Sequence, residues 1–392
     1  MIYKNANINQ KIWERLNDYL IKDKLPNALL FHGYDGVGKE ACAIEFATII
    51  NCNNKMAHAS CGECISCVKM KKMQHGNIKL IHPMPRLKSK TSSGSPLENL
   101  SKTEIENYTE QLILKSNNPY YKINLPNSNS ILINSIRYLK KELQLSSIEK
   151  GWNIVLILDA DRLSYPSNVS ANALLKILEE PPEKTLFILT TSNYSKIIDT
   201  IKSRCQEIFF PPLSTEYILK SLKNDLTYND NYIISTISNG NMNIAIKLSD
   251  SIGDIYNDLK LFINACYTPN YKYNEKIVNR VNVLKRGENY ELILFFRIIT
   301  IYFKDLFVFS KSRDLKYVVY KNLDKHYQKM TKHYNNTRWE ICIDILDNTQ
   351  NNIMKNSSVP LSIHGMLIEI KKNISNKSEI IPFSINSWLQ NK

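Results

Sequence analysis

The chain has 392 residues, and 43% of them are hydrophobic, which is enough apolar material to give two or three domains their own cores. This composition excludes wholesale disorder. Lys and Arg outnumber Asp and Glu by 51 to 37, and a formal charge of +14 favours a polyanionic partner such as nucleic acid. Most basic residues are Lys, and Asn, Ile and Tyr are also abundant, so A/T-rich codon usage explains the charge equally well.

The first twenty residues are charged and amphipathic, without the continuous apolar core of a secretory signal, and this predicts a cytoplasmic protein. The most apolar stretch, residues 292–309, contains Arg297, Lys304 and Asp305, which are costly at a bilayer centre and ordinary on the wet side of a buried helix. We therefore expect no transmembrane span and no membrane partner. Eight cysteines without a secretory route argue against a disulfide framework.

The first part of the chain, residues 1–212, alternates strand-like apolar runs with helical patterns. This rhythm is typical of an α/β domain with a mostly parallel sheet. The strand-like runs are residues 28–32, 78–81, 154–158 and 186–190. Residues 84–130 interrupt the rhythm with a Ser-, Lys- and Pro-rich start, and we interpret them as an insertion to which the sequence assigns no function.

The rest of the chain is predicted to be helical. Pro211 and Pro212 end the α/β pattern, and residues 213–251 form a small helical lid domain in which Gly240 supplies a helix-ending backbone conformation. Residues 252–392 show long helical periodicities without strand alternation, which predicts an all-α third domain.

A glycine-rich loop follows the first strand-like run. Gly33, Gly36, Gly38 and Lys39 fit the G-x4-G-K pattern, in which backbone N–H groups and a helix N-terminus cradle phosphates and the lysine reaches the terminal ones. The next position normally carries the Ser or Thr that holds Mg²⁺. Here it is Glu40, which places a negative charge beside the phosphates. The residues leave ATP or ADP binding open and argue against hydrolysis.

A second acidic position supports this interpretation. Asp159 follows the buried run 154–158, where such a residue contacts Mg²⁺, although it could also merely cap the strand. Hydrolytic versions of the motif usually continue with a Glu that orients the attacking water. This chain has Ala160, whose methyl group cannot polarise water.

Four closely spaced cysteines predict a metal module at residues 52–67. The C-x8-C-x2-C-x2-C spacing lets four thiolates converge on one tetrahedral ion and leaves no open position for catalysis, so we expect structural zinc and not a redox pair. The ligands are Cys52, Cys61, Cys64 and Cys67. His58 and His75 lie nearby in sequence and are interpreted as solvent-exposed bystanders.

The most specific pattern lies further along the chain. It consists of ANALLKILEEPP at residues 171–182, the strand TLFILTTS after it, and Ser203-Arg204-Cys205. With these segments the chain resembles bacterial clamp-loader subunits of the AAA+ class, over roughly residues 5–250. These motifs and the four cysteines occur together in the tau/gamma ATPase subunit and the delta-prime subunit of the DNA polymerase III clamp loader. Glu40 and Ala160 favour the delta-prime type, whose nucleotide site is typically degenerate.

The resemblance implies an AAA+ P-loop domain, a small helical lid and an all-α C-terminal collar domain for oligomerisation. It implies that Arg204 acts as an arginine finger in trans at a neighbouring subunit's ATP site, and that Thr191 occupies the sensor position. We expect no intrinsic ATPase, and partners that include the delta and tau/gamma subunits, primed DNA and the sliding clamp at a bacterial replication fork. The alternatives are a tau/gamma-like ATPase and a stand-alone zinc-dependent DNA-binding protein.

Overall fold

The protein is described from a computed structural model. It describes residues 2–3, 9–56, 59–85, 94–145, 150–222, 226–268, 270–287 and 289–374. Residues 86–93 of the predicted insertion, His58, and residues 375–392 of the predicted collar domain lie outside the described residues. The chain divides into two compact units, Met1–Leu213 with Gly240–Asn243, and Ser214–Asn239 with Ile244–Lys392. The predicted division into lid and collar domains stays a prediction.

The first unit is built on a five-stranded sheet in which every pairing is parallel. Its strands are β1 (Ala28–Gly33), β2 (Ile78–Ile81), β3 (Asn153–Ile157), β4 (Thr185–Thr191) and β5 (Gln206–Phe210), in the order β2-β3-β4-β1-β5. The predicted parallel sheet is confirmed, and the four predicted strands begin and end within one residue of their expected bounds. Strand β5 has no counterpart among the predicted runs because it begins with the polar residues Gln206 and Glu207 and is partly exposed.

Helices cover both faces of this sheet. The helices of this unit are α1 (Gln10–Ile21), α2 (Lys39–Asn51), α3 (Ile65–Lys71), α4 (Lys102–Asn117), α5 (Ile133–Gln144), α6 (Val169–Glu179) and α7 (Asp199–Lys202). Alternate side chains of β1 point to opposite faces, so Leu29 and Phe31 join the core with α1 and α2, while Ala28 and Leu30 join the core with α5 and α6. Helix α2 is buried at 12 of its 13 positions.

The described part of the insertion has a small core of its own. A backbone bridge joins Met84 to Ser130, so the insertion returns to the point where it leaves the domain. Helix α4 begins with a capping box formed by Ser101 and Glu104. The core residues are Met84, Leu100, Ile123, Leu125 and Leu158. Since Leu158 directly follows β3, this core attaches the insertion to the carboxyl end of the central sheet.

The second unit is helical throughout its described residues. Its helices are α8 (Thr215–Ser221), α9 (Tyr228–Ser238), α10 (Met242–Asp250), α11 (Ile252–Tyr267), α12 (Tyr271–Arg286), α13 (Asn289–Ser312), α14 (Asp324–His333), α15 (Trp339–Met354) and α16 (Val359–Ile374). The 24-residue α13 packs against α11, α12, α14 and α15. Among the described residues, every helix is too short or too polar to cross a membrane.

Helix α13 departs from its expected pattern at Asp305. This residue is buried, and its carboxylate accepts hydrogen bonds from the backbone N–H groups of Val319 and Tyr320 at 2.9 and 2.8 Å and from the Tyr327 hydroxyl at 2.9 Å. The expectation that Asp305 lies on the wet side of the helix is therefore wrong, because a loop supplies donors that compensate for its burial. Burial nevertheless raises the pKa of Asp305 to about 6.

Candidate functional site

The glycine-rich loop connects β1 to α2. Gly33, Gly36 and Gly38 have φ angles of 148°, 69° and 91°, conformations that favour glycine. At Gly36 a Cβ atom would lie 1.8 Å from Oδ1 of Asn241, so the Asn241 side chain would have to move to admit any other residue there. Gly38 occupies the N-cap position of α2. The predicted loop residues thus lie together at the carboxyl end of β1.

Lys39 turns back onto this loop. Its Nζ donates to the carbonyl oxygen of Gly33 at 2.8 Å, to the carbonyl oxygen of Tyr34, and to the hydroxyl of Ser192 at 3.2 Å. Burial lowers the pKa of Lys39 to about 8, against the opposing effect of Asp35 and Glu40. The ammonium group is therefore satisfied by the protein itself.

The predicted acidic and sensor residues follow the neighbouring strands. Asp159 comes after β3 in a left-handed conformation with φ of 52°, and Thr191 ends β4. The sheet order places both beside the phosphate loop. Burial raises the pKa of Asp159, although a neighbouring lysine, Lys122, opposes the shift. The Thr191 hydroxyl donates to Oδ1 of Asp161 at 2.7 Å, so this side chain is held by the residue two positions after Asp159.

Two lysines that the motifs do not include complete the site, and both come from the insertion. Lys115, in the last turn of α4, is 1% exposed and forms an ion pair with Glu40. Lys122 places its Nζ 2.9 Å from Oδ1 of Asp159 and 3.5 Å from Oδ1 of Asp35. Glu40 and Asp159, the two acidic residues singled out by the sequence, therefore each have a lysine partner.

The remaining cavity is small and electrically balanced. It has a volume of about 50 Å³ and is lined by the loop, by Lys115, Pro119, Tyr120 and Lys122 of the insertion, and by the ends of β3 and β4. A water molecule needs roughly 10–15 Å³ of such volume, so this cavity holds only a few waters. Its charged lining consists of three lysines and three carboxylates: Lys39, Lys115, Lys122, Asp35, Glu40 and Asp159.

Sequence reasoning missed both insertion lysines because they lie 75 residues or more beyond the loop in the sequence and belong to no motif. A signal was nevertheless present. A Glu in the first turn of a helix that otherwise reads as buried needs a counter-charge, and the insertion was the segment without an assigned role. Lys115 and Lys122 flank its apolar Pro-Tyr-Tyr segment at residues 119–121.

The four predicted cysteines converge at the other end of α2. Their sulfur atoms all lie within 4.8 Å of one another, with separations of 3.5 Å between Cys52 and Cys61 and 3.8 Å between Cys61 and Cys67. Tetrahedral zinc with Zn–S bonds of about 2.3 Å requires sulfur separations of about 3.8 Å. The backbone N–H of Cys64 donates to the Cys61 sulfur at 3.3 Å, which favours a thiolate. The donor set and spacing fit structural zinc.

His75 is not the exposed bystander that we expected. It is buried, its Nε2 lies 3.0 Å from the hydroxyl of Ser66, and its Nδ1 accepts from the backbone N–H of Asn77 at 3.2 Å. These bonds connect α3, which carries Cys67, to the segment before β2. His75 therefore supports the cysteine cluster without contributing a ligand to it.

Arg204 lies at the amino ends of the strands, opposite the ends that carry the phosphate loop. It lies two residues before β5, whereas the loop follows the carboxyl end of β1, and a parallel strand of five residues spans about 16 Å. One guanidinium nitrogen donates to Oε1 of Glu179 at 2.6 Å and another to the carbonyl oxygen of Thr200 at 3.0 Å. The side chain is 36% exposed. Arg204 is thus separated from the candidate nucleotide site of its own chain.

A parallel sheet with a glycine-rich loop after β1 and an acidic residue after β3, with β4 between these two strands, defines a P-loop type of nucleotide-binding domain, whether or not nucleotide binds. The family described as "DNA polymerase III, delta subunit" matches residues 8–214, and the chain belongs to this family. The recognition of a clamp-loader family member related to tau/gamma is confirmed.

Several curated proteins are similar to this region. DNA polymerase III subunit gamma of Buchnera aphidicola subsp. Baizongia pistaciae is 28% identical over 251 residues, which cover 62% of this chain and 55% of that protein. Subunit tau of Bacillus subtilis is 26% identical, with coverage of 62% and 36%. Subunit delta' of Escherichia coli is 24% identical, with coverage of 54% and 50%. The chain thus spans about half the length, or less, of these relatives.

A solved structure of a DNA polymerase III gamma subunit-related protein from Thermotoga maritima covers 92% of this chain and 99% of its own, at 16% identity and a TM-score of 0.39.

Proposed function

We propose that this chain is a delta-prime-like, non-hydrolysing subunit of a bacterial DNA polymerase III clamp loader. It would assemble with delta and tau/gamma subunits in the cytoplasm and help to load the sliding clamp on primed DNA. The observation that carries the proposal is the pairing of Glu40 with Lys115 and of Asp159 with Lys122 in a site whose motif otherwise serves ATP. Membership of the delta-subunit family and the similarity to delta', tau and gamma subunits support the assembly.

Three departures from the hydrolytic motif argue against ATP turnover. Glu40 replaces the hydroxyl side chain that holds Mg²⁺, and its carboxylate is paired with Lys115. Ala160 is buried and offers no group to orient a water. Lys39 donates to the loop's own carbonyl groups. The tau/gamma-like ATPase remains the alternative because the relatives named gamma, tau and delta' have comparable identities to this chain.

Arg204 is the residue that would contribute to catalysis in the assembly. Its position at the amino ends of the strands, away from its own phosphate loop, suits contact with phosphate bound by an adjacent subunit, where a planar guanidinium offers two parallel N–H donors. The ion pair with Glu179 is half exposed, and such pairs stabilise by about 1 kcal/mol or less. Arg204 could therefore leave Glu179 for a phosphate at little cost.

The other parts of the molecule fit the same role. Zinc held by the four-cysteine cluster would be structural, since four sulfurs close its coordination. DNA contact in the assembly would come from lysines that bind phosphates without reading bases. A stand-alone zinc-dependent DNA-binding protein would explain the cysteines and the charge, but it gives no role to Arg204 or to the closed P-loop.

The decisive experiment reconstitutes the clamp loader with tau/gamma and delta subunits and measures its clamp- and DNA-stimulated ATPase. Arg204→Ala should leave assembly intact and lower the turnover rate, and Arg204→Lys should restore little because a point charge cannot form the planar contact. Trans-acting arginines contribute about 10³–10⁵ in rate at single sites, and a ring with other intact sites should lose less. Arg137→Ala, an exposed arginine of α5, is the matched control.

Two outcomes would contradict the proposal. Unchanged turnover with Arg204→Ala in an intact complex would remove the role in trans. Magnesium-dependent hydrolysis by the unmodified chain alone, abolished by Lys39→Ala, would favour the tau/gamma-like ATPase.

A further inference from the structure

The insertion and the phosphate loop, which the sequence leaves unconnected, form one site. We propose that the insertion is a built-in occupant of this chain's nucleotide site: Lys115 and Lys122 bind the two acidic residues at the magnesium positions, and residues 115–122 close the site to nucleotide. This inference goes beyond the proposed function, since it holds whether or not the chain works in a clamp loader.

The two paired acidic residues are not arbitrary. In P-loop domains, the residue after the loop lysine and the acidic residue after a second strand of the same sheet hold the Mg²⁺ that accompanies the phosphates. Those positions are Glu40 and Asp159 here. Each is paired with a lysine, and the two lysines are seven positions apart in one segment. One segment therefore supplies a positive charge at both places where the metal would be held.

Lys115 is placed as a permanent partner. Its side chain is 2% exposed, and besides Glu40 its ammonium group donates to the carbonyl oxygens of Tyr121 and, at 3.5 Å, Pro119. Its backbone is also held, since the Tyr3 hydroxyl donates to the Lys115 carbonyl oxygen at 3.1 Å. A buried ammonium group with an ion-pair partner and carbonyl acceptors is held in position.

Lys122 closes the opposite side of the cavity. Burial opposes its charged form, but the carboxylates of Asp159 and Asp35 outweigh burial and raise the pKa of Lys122. Lys122 and the Ser192 hydroxyl together counteract the burial of Asp35, whose pKa is lowered. Lys122 therefore joins the phosphate loop to the residue after β3, and a nucleotide-bound metal could reach Asp159 only by displacing it.

The space left between these lysines does not accommodate a nucleotide. Pro119 and Tyr120 line the cavity, whose volume of about 50 Å³ is well below the roughly 300 Å³ of the smallest ordinary ligand pockets. The insertion is held in place on the carboxyl side of Lys122, because Ile123 and Leu125 belong to the core that includes Leu158. Opening the site would require this core or the ion pairs to separate.

Charge also excludes the ligand. The cavity lining contains three lysines and three carboxylates, so their formal charges balance. A triphosphate would add about four negative charges next to Asp35, Glu40 and Asp159, while Lys115 and Lys122 are already paired with these carboxylates and Lys39 donates to the loop's carbonyl groups. Removal of the Glu40 carboxylate together with the two insertion lysines should therefore allow a magnesium–nucleotide complex to bind.

The first test measures occupancy directly, in full-length protein without nucleotide. Lysine acetylation followed by peptide mass spectrometry compares Lys115 with Lys102, an exposed lysine in the first turn of the same helix. Lys115 should react at least about tenfold more slowly, and Glu40→Gln should reduce that protection. Equal reactivity of the two lysines in the unmodified chain would overturn the inference, because the insertion would then not occupy the site.

The second test measures nucleotide exclusion. Binding of a fluorescent ADP analogue with Mg²⁺ is followed by anisotropy for the unmodified chain, for the combined variant Glu40→Thr, Lys115→Met, Lys122→Ala, and for the control Lys102→Ala. The combined variant should bind at least about tenfold more tightly than the other two, and Lys39→Ala added to it should abolish the gain. Lys122→Ala alone, which leaves the buried pair intact, should change affinity in the same direction.

Equal nucleotide affinity of the unmodified chain and the opened variants would overturn the inference. Absence of binding by opened variants that still unfold cooperatively, and are therefore folded, would overturn it as well. Gel filtration with tau/gamma and delta subunits separates this failure from failure of the proposed function. A chain that binds nucleotide and still assembles contradicts only the built-in occupant. A chain that excludes nucleotide but does not assemble contradicts only the clamp-loader role.

Discussion

Lys115→Met is the most informative single change in the first unit. It removes the charge that faces Glu40 and keeps most of the side-chain volume. Loss of one partner from a buried ion pair costs about 3–5 kcal/mol, because the remaining charge stays buried without compensation. Glu40 is 16% exposed at its side chain, so water relieves part of this penalty and we expect about 3 kcal/mol. The exposed control Lys102→Met should change stability by less than about 0.5 kcal/mol.

The pair itself is measured by a double-mutant cycle with Glu40→Gln. This change strands the buried ammonium group of Lys115 with only carbonyl acceptors, and we expect a cost of about 2–4 kcal/mol. The double variant leaves neither charge, so its cost should be smaller than the sum by at least about 2 kcal/mol.

The assay combines urea unfolding with hydrogen exchange of peptides from α2 and α4. The exchange data report the opening of this region alone, which matters because a chain of two units need not unfold in one step. Additive effects of the two single changes would refute the reasoning, since they would show that Glu40 and Lys115 do not interact.

Two further predictions concern metal and pH. Elemental analysis should find about one zinc per chain. Cys61→Ser should lower both the metal content and the thermal stability, while the control Cys205→Ser, outside the cluster, should keep the metal. A metal-free chain of unchanged stability would contradict this prediction. The pKa of Asp305 is about 6 in the folded protein and 3.8 as its ordinary value, so between about pH 4 and 6 the folded chain binds a proton at Asp305 that the unfolded chain has lost. The contribution of Asp305 to the free energy of unfolding therefore falls by about 3 kcal/mol as the pH rises from about 4 to 6. Asp305→Asn should remove that slope from urea unfolding, and an identical pH profile in both proteins would argue against the raised pKa.

The sheet could be predicted because its determinants are local. Strands β1, β3 and β4 contain continuous apolar runs, and burial on both faces of a parallel sheet produces that pattern. Strand β2 lies at one edge of the sheet and is apolar apart from Lys79. Strand β5 lies at the other edge, begins with Gln206 and Glu207, and keeps only three apolar residues. Its pairing with β1 is set by the tertiary fold, and the sequence pattern does not contain it.

The candidate site could be predicted only in part for a similar reason. Gly36 and Lys39 are recognisable because the backbone conformation and helix start that they require are local. The partners of Glu40 and Asp159 come from the folded insertion, and nothing in the spacing of Lys115 or Lys122 indicates which carboxylate they meet. Asp305 shows the same limit, since its donors lie on a loop that follows its own helix.

Helix α2 carries one consequence of this arrangement. Its 13 residues span about 20 Å, and it is fixed at both ends, by the ion pair of Glu40 at the start and by Cys52 of the cysteine cluster at the C-cap. Because the helix is buried along nearly its whole length, it behaves as a rigid strut that cannot shift along its axis without disturbing one end or the other. Loss of metal from the four cysteine sulfurs should therefore displace the start of the helix at Lys39, although no side chain connects the two ends.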